Sequence, residues 1–442
     1  MRERGFLIGG GEMGALMRAH DWISTPFGPI ERWPQSLRSA VSICLGTNFP
    51  IAIYWGPELA LLYNDAWSPI PGAKHPKALG QPGREVWPEI WDAIGPLFAR
   101  VQETGEGVWQ QDQLLAMRRH GYTEECYFNF TFSPIRGEDG GVEGIFNAVV
   151  ETTFRVIGER RERTLRVLAE RLATARSEDE VCAIAAEALH AQPADVPFCL
   201  LYLAEDGGPA RLVASAGLAR DSDPCPALID PSGSDAPWPL GLVLETEQPQ
   251  LVEDLSERFG APLPGGAWPE PASSAVVLPI AATARPGALA GFLVSGISPR
   301  RALDEEYRAF LERAAAHVAA TLANVRAFAE ERRRIDDGSI IIIVATDAPL
   351  LPHQCDRLAQ RATVGLARVG GIGANSSGDI FFCFANGNRG LPGAEERTRQ
   401  VSECRMISPD AMTPLFEACA EATEEAILNA MCMATTTVGV DG

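Results

Sequence analysis

The sequence predicts a multidomain α+β protein, and three observations carry that reading. Its 442 residues suffice for about three domains of ordinary size, and 46% of them are hydrophobic, enough for packed cores. Period-two apolar runs and stripes at three-to-four-residue spacing alternate along the chain, the marks of strands and amphipathic helices. All nine tryptophans fall between Trp22 and Trp268, so the front and the end differ in composition. The expected divisions are 1–155, a connector helix over 156–175, 176–334 and 335–442.

In the first division, residues 49–56 and 59–64 are β-rich runs joined by Gly56-Pro57-Glu58, which is hairpin chemistry. Helical pieces follow around 87–101. Residues 124–135 then alternate with period two, and 142–152 supply another strand after a Glu-Asp-Gly-Gly turn. The Trp55-Gly56-Pro57-Glu58-Leu59 hairpin, Tyr63-Asn64-Asp65-Ala66-Trp67, the loop from Lys74 to Gly80, Trp87-Pro88-Glu89-Ile90-Trp91 and Phe130-Thr131-Phe132-Ser133-Pro134-Ile135 resemble the PAS module that opens many bacterial hybrid sensor kinases and sensor phosphatases. The resemblance implies an antiparallel-sheet sensor domain over about 15–155. His75 is a weak haem-ligand candidate, since a loop histidine beside proline is more often structural. Gly9-Gly10-Gly11 lacks the strand and the Lys-Ser/Thr of a P-loop and reads as a flexible N-terminus.

From 155 to 175 the chain is charged and helical, with Ile157, Leu165, Leu168 and Leu172 on one stripe. A helix over 178–190, a buried strand over 198–203, a Gly/Pro-rich variable region and strands over 274–280 and 288–295 follow. This order resembles a GAF domain. Relatives of that kind bind cyclic nucleotides, haem or tetrapyrroles, yet no residue here selects one; Cys225, in a Pro-rich loop, is a weak candidate for a tetrapyrrole thioether. Leu311, Ala314, Val318, Leu322, Val325 and Phe328 form a seam along the terminal helix. Such a seam predicts either packing on the domain's own sheet or a two-stranded coiled coil, and similarity to signalling helices favours a parallel homodimer through 304–334. His317 lacks the adjacent acid and following proline of a phosphoacceptor box, and no ATP-lid glycines follow, so no kinase domain is expected.

After Arg334 the character changes. Residues 339–345 read as a strand buried on both faces, 352–368 as a helix opened by proline and closed by Gly370-Gly371, 380–384 as a second buried strand, and 409–434 as a long helix. The segments Asp336-Asp337-Gly338-Ser339-Ile340-Ile341-Ile342-Ile343-Val344 and Gly373-Ala374-Asn375-Ser376-Ser377-Gly378-Asp379-Ile380, supported by 346–354 and 421–430, resemble the nucleophile-bearing part of the L-aminopeptidase/D-esterase family, which includes DmpA and the β-peptidyl aminopeptidases. The resemblance implies part of an αββα, Ntn-hydrolase-like fold and self-cleavage between Gly338 and Ser339. Glycine at 338 permits the strained turn in which a serine hydroxyl attacks the preceding carbonyl. The amine so freed has a pKa of about 7.7 to 8.0 and serves as base for its own hydroxyl.

By that resemblance Ser339 is the nucleophile, Ser377 relays or orients its proton, and Asp379 holds Ser377 or a substrate ammonium. The family often has Glu where this chain has Asp379. The substrate implied is a peptide or amino-acid amide. Nothing in 1–334 resembles the family's larger N-terminal segment, which supplies the rest of the sheet and the pocket, and the family continues a little beyond Gly442.

A net charge of −20 argues against a nucleic-acid or anionic-membrane binder. No apolar run approaches the roughly 20 residues of a membrane span, and no signal-peptide core follows Met1, so a cytoplasmic location is expected. The ten scattered cysteines, with Cys199, Cys383 and Cys432 in apolar stretches, read as buried reduced thiols. No spacing suggests zinc, and no cofactor is predicted. Three readings stay open: a PAS-GAF sensor of a small molecule with a peptidase-derived tail, a working N-terminal-nucleophile serine aminopeptidase or amidase regulated by sensor domains, and an artificial join near Arg334-Ile335.

Overall fold

A run of glycines too loose, by sequence, to hold a structure sets up the first helix of the protein. In the computed structural model, which describes residues 5–204, 208–233, 236–282, 288–336 (backbone only from 331), 339–373, 378–391 and 401–435, Gly9, Gly10 and Gly11 have φ of 82°, 72° and 51°. That left-handed region suits glycine. They turn the chain into α1 (Gly11–Ala19), whose leading amides at Glu12 and Met13 donate to the Asp65 carboxylate at 3.0 and 2.6 Å. Leu7, Met13 and Met17 are fully buried. The stretch from Gly5 is thus built into the core rather than flexible, because its capping carboxylate comes from far along the chain.

After α2 (Gln35–Gly46) come the hairpin β1 (Ile51–Trp55) and β2 (Ala60–Tyr63), the short α3 (Gly83–Val86), α4 (Trp91–Thr104), and a meander of β3 (Val108–Arg118), β4 (Thr123–Arg136) and β5 (Val142–Glu151). The five strands form one antiparallel sheet in the order β2-β1-β5-β4-β3. β3 escapes the sequence pattern because Gln110, Gln111, Asp112 and Gln113 are polar and the strand lies at the sheet edge. Asn64 ties hairpin to helix: its Oδ1 accepts from the Ile51 and Trp67 amides, both at 3.1 Å, and its Nδ2 is directed at the carbonyls of Cys44, Thr47 and Phe49.

The connector α5 (Thr153–Leu172) leads to α6 (Glu178–His190), β6 (Cys199–Leu203), β7 (Ala210–Ala216), β8 (Leu228–Ile229), α7 (Leu240–Thr246), β9 (Gln250–Val252), α8 (Leu255–Arg258), β10 (Ala275–Ala281), β11 (Leu289–Gly296) and α9 (Glu305–Asp336). Ser177 caps α6 by accepting from the Glu180 amide at 3.2 Å. The second sheet is antiparallel in the order β8-β7-β6-β11-β10-β9. One of its faces packs on α5, α6 and α9 through Leu168, Leu189, Leu201 and Phe310; the other, carrying Tyr202 and Phe292, packs on Trp238, Leu240 and Val243.

This packing corrects the coiled-coil seam. Leu311, Ala314, Val318 and Leu322 are fully buried against the helix's own sheet and are not free for a partner helix. Only the far end of the stripe is open, with Phe328 at 64% exposure. His317 is exposed, as a surface residue. Cys225 is fully buried, which removes it as a site for an external thioether, whereas Cys432 is exposed rather than core.

The chain divides into two units, Met1–Val325 and Arg326–Gly442. Within the second, β12 (Ile341–Thr346) and β13 (Ile380–Ala385) pair in parallel, with Ile341 opposite Ile380. The helix expected over 352–368 is two, α10 (Pro352–Ala359) and α11 (Ala362–Arg368), and α12 (Thr413–Met433) follows a short turn at Pro409–Ala411. Ile342, Val344, Phe381 and Cys383 face a small core of Leu350, Leu358, Ala362, Met412 and Cys419. The opposite face is bare: Ile341, Ile343, Ile380, Phe382 and Phe384 are between 47% and 67% exposed. Neither strand is buried on both faces, because among the described residues only one layer of helices covers the sheet.

Candidate functional site

The parallel register opens with Ile341 opposite Ile380, so Ser339 stands two positions before it on one strand and Asp379 one position before it on the other, and the Ile380 amide donates to the Ile340 carbonyl at 2.9 Å. A parallel pair puts equivalent strand ends side by side, so residues distant in sequence meet there. The Gly378 amide donates to Ser339 Oγ at 3.0 Å, and the Ile340 amide donates to Asp379 Oδ1 at 3.2 Å. A Cβ at 378 would lie 3.6 Å from Ser339 Oγ, so the glycine allows this approach without requiring it. Ser339 is exposed, and by strand alternation it falls on the bare side of the sheet with Ile341 and Ile343.

Of the residues expected to act, Ser339 and Asp379 are thus gathered at one sheet end. Gly338 and Ser377 lie outside the described residues. Gly378 was not singled out by sequence, although a backbone donor next to a candidate serine is what the Ser377-Gly378-Asp379 run would provide. With its Oγ accepting an amide hydrogen, Ser339 keeps its own proton available for transfer to a base, which is the arrangement a nucleophilic hydroxyl needs.

The first sheet encloses a second candidate site, an apolar cavity of about 40 Å³ lined by Tyr54, Trp67, Trp87, Phe128, Phe130 and Asn147, among others. It has room for a few small atoms, whereas drug-sized ligands need about 300 Å³ or more. Trp87 Nε1 donates to Tyr54 Oη at 3.0 Å, and burial pushes the Tyr54 hydroxyl above its ordinary pKa, so it stays a neutral polar group. Lys74 lies over the Trp87 ring at 4.5 Å and pairs with Glu89. His75 accepts or donates a hydrogen bond with Tyr63 Oη at 3.1 Å, a structural role. In the second domain an open cleft of about 650 Å³ is lined by Asp221, Asp223, Leu228, Arg258 and Phe259, while the interior beneath is filled by Tyr202, Cys225 and Trp238. Among the described residues no cluster of His, Cys, Asp or Glu could hold a metal ion, and no helix is long and apolar enough to cross a membrane.

Sequence reasoning missed the ionic junction between the two domains. Arg160 on α5 binds Glu125 of β4 and Asp195, and Arg161 binds Asp195 at 3.2 Å while its guanidinium lies 3.9 Å over the Tyr307 ring. Glutamates inside an otherwise apolar alternating strand, Glu124-Glu125, are the signal that could have pointed to it.

Comparison with known proteins matches three family models in succession: a PAS fold over residues 52–157, a GAF domain over 175–323 and peptidase family S58 over 275–442, the last two overlapping. Over 106 residues the chain is 46% identical to the β-peptidyl aminopeptidase BapA of Sphingosinicella microcystinivorans, covering 24% of this chain and 26% of that protein. It is 33% identical over 106 residues to BapA of Sphingosinicella xenopeptidilytica, with the same coverage. Among solved structures, a Burkholderia sp. β-aminopeptidase is 56% identical, covering 22% of this chain and 28% of that one, with a TM-score of 0.21. A GAF domain from a Coxiella burnetii phosphoenolpyruvate-protein phosphotransferase is 25% identical over 38% of this chain and 96% of its own, with a TM-score of 0.29. The chain spans about a quarter of the length of the curated relatives it matches. From front to end, then, this is a chain of a PAS fold, a GAF domain and a segment of peptidase family S58, in that order.

Proposed function

We propose that this is a sensory protein whose PAS and GAF domains respond to small ligands, carrying a β-peptidyl-aminopeptidase-type segment that is silent when the chain stands alone. One observation carries the reading. The two sensor domains close their own cores, whereas the peptidase-type segment leaves Ile341, Ile343, Ile380, Phe382 and Phe384 bare on the side where Ser339 falls. A nucleophile needs a wall opposite it to hold substrate and oxyanion donors, and each missing donor costs about 10² to 10³ in rate. The proposed domain limits are 1–155, 156–175, 176–334 and 335–442, and the proposed location is the cytoplasm. The apolar cavity among Trp67, Trp87 and Phe130 supports a small apolar ligand for the first domain. Any homodimer formed along 304–334 would use the open end near Phe328.

The test is the intact mass of the full chain beside Ser339→Ala. Both remaining whole supports a silent segment. Separation of the unmodified chain alone at Gly338-Ser339 overturns it and favours the second reading, an autoprocessing serine aminopeptidase or amidase. That reading is supported by the Gly378 to Ser339 hydrogen bond and by the Asp379 carboxylate, which accepts from the amide of Ile340, the residue after Ser339. In it Ser339 attacks, Ser377 relays the proton, and Asp379 holds Ser377 or the ammonium of a peptide or amino-acid amide. Release of amine from small N-terminal amides would then follow the cleaved fraction.

A further inference from the structure

The cavity in the first domain is apolar but for a few groups that the fold leaves unused. Asn147 on β5 lines it at 6% exposure, and among the described residues no hydrogen bond involves its carboxamide. Asn64 shows the contrast. At 2% exposure it engages the amides of Ile51 and Trp67 and the carbonyls of Cys44, Thr47 and Phe49. A buried amide with no such partners is costly unless something else supplies them.

The sheet register sets a second polar group beside it. Asn147 stands opposite Ala52 on β1 and Phe132 on β4. Tyr54, two residues beyond Ala52, shares that face and occupies the diagonal position, about 7–8 Å away. Its oxygen accepts from Trp87 Nε1 at 3.0 Å, and its own hydrogen has no acceptor among the described residues. The Trp67 indole N–H, in the same wall, also donates to none of them. Donors therefore outnumber acceptors in this lining. None of the described lining residues is charged, and an ion would lose its hydration there without replacement, so the occupant is neutral. Volume bounds its size: one water needs about 10–15 Å³ of such space, so about 40 Å³ admits about three or four non-hydrogen atoms.

We propose that the first domain takes a short aldehyde or ketone, whose oxygen accepts from Asn147 and Tyr54 and whose carbons lie against Trp87, Phe128 and Phe130. The assignment rests on the reading that this domain binds a small ligand. It makes Asn147 and Tyr54 the residues that select for a carbonyl compound over a hydrocarbon of the same shape.

The experiment titrates the full-length chain, labelled at isoleucine methyl groups, with acetone and with isobutene, in which a methylene replaces the oxygen. Methyl shifts at Ile70, Ile90 and Ile94 of the lining report binding of either compound. Ligands of this size bind no tighter than about 40 μM, so both are carried to millimolar concentration. The expected result is saturable binding of acetone, with an acetone-to-isobutene affinity ratio that falls about tenfold in Asn147→Leu. Tyr54→Phe should lower the ratio in the same direction, and it decides the matter should Asn147→Leu fail to fold. Each ratio is taken within one protein, so a general loosening of the cavity cancels. An unchanged ratio, or saturation by isobutene alone, overturns the carbonyl assignment and leaves the small-ligand reading standing. No shift with either compound leaves the cavity to water and overturns both.

Discussion

Glu125 and Asp195 share one guanidinium. Arg160 donates to Glu125 Oε1 at 2.6 Å and to Asp195 Oδ2 at 2.6 Å, and both carboxylates are fully buried. One belongs to the first sheet and the other to the second domain, so the connector helix joins them through a charge that neither could be buried without. Tyr307 reinforces the far side, donating to the Asp195 carbonyl while accepting from the Ser298 amide at 3.1 Å.

Removing that charge takes from buried Glu125 its guanidinium partner and leaves Asp195 with Arg161 alone. We predict that Arg160→Ala lowers the stability of the front unit by about 3 to 5 kcal/mol. Arg166→Ala, which breaks only the exposed 3.9 Å pair with Glu170, should cost less than about 1 kcal/mol. Urea unfolding followed by tryptophan fluorescence compares the two; equal midpoints would show that the junction contributes nothing.

A pH dependence follows from the neighbouring cluster. Burial opposes the charge on Glu124 and Glu151, and hydrogen bonds from Arg119 outweigh it, so both carboxyls sit below their ordinary range. Such groups favour the folded state above the unfolded-chain value, about 4.3 for glutamate, and that contribution is lost as pH falls through the folded values. Stability should therefore decline as pH drops below about 4.3. In Arg119→Met the two carboxylates lose their partner, and the decline should flatten or reverse in the same titration.

At the N-terminus, Asp65→Ala should release the leading amides of α1. Losing such a cap costs about 1 kcal/mol. Hydrogen exchange at Glu12 and Met13 should rise, while amides in β4 keep their protection; unchanged exchange at Met13 would contradict the cap.

The bare sheet makes opposite demands on alternate residues. Phe382→Glu, on the open side, should leave the second unit folded and reduce self-association and dye binding, since exposed apolar patches promote both. Val344→Glu faces the helices and places an unpaired charge in the core, so it should unfold the unit. Sedimentation and circular dichroism distinguish the two outcomes.

Much of this architecture is legible in the sequence where periodicity and burial agree. The alternation of 124–135 and the stripe of Ile157, Leu165, Leu168 and Leu172 both appear as the strand and helix they predict. The stripe of Leu311 to Leu322 is legible as a buried face but not as to what buries it, because a sheet and a partner helix impose the same spacing. Ile340 to Val344 misleads for a related reason: an unbroken apolar run carries no mark of which side is covered. α1 was hidden because its cap is Asp65, and the Arg160 junction because its charges come from three separate stretches of chain, Glu125 on β4, Arg160 and Arg161 on α5, and Asp195 after α6. At the candidate site, the pairing of Ser339 with Asp379 was legible only through the family resemblance, while the Gly378 amide depends on a parallel register that no local pattern encodes.

The connector's anchors lie close together along one helix. Thr153 Oγ1 accepts from the Tyr127 amide at 2.9 Å at its start, and Arg160 and Arg161 reach Asp195 two turns later. An inserted or deleted residue between them rotates everything beyond by about 100°, carrying both guanidinium groups off their carboxylates. The connector is therefore a phase-locked joint. Exchange of either domain by recombination is tolerated only where the helical phase survives the crossover, so lineages carrying this pair of domains should vary connector length in steps of about seven residues, two full turns, rather than one at a time.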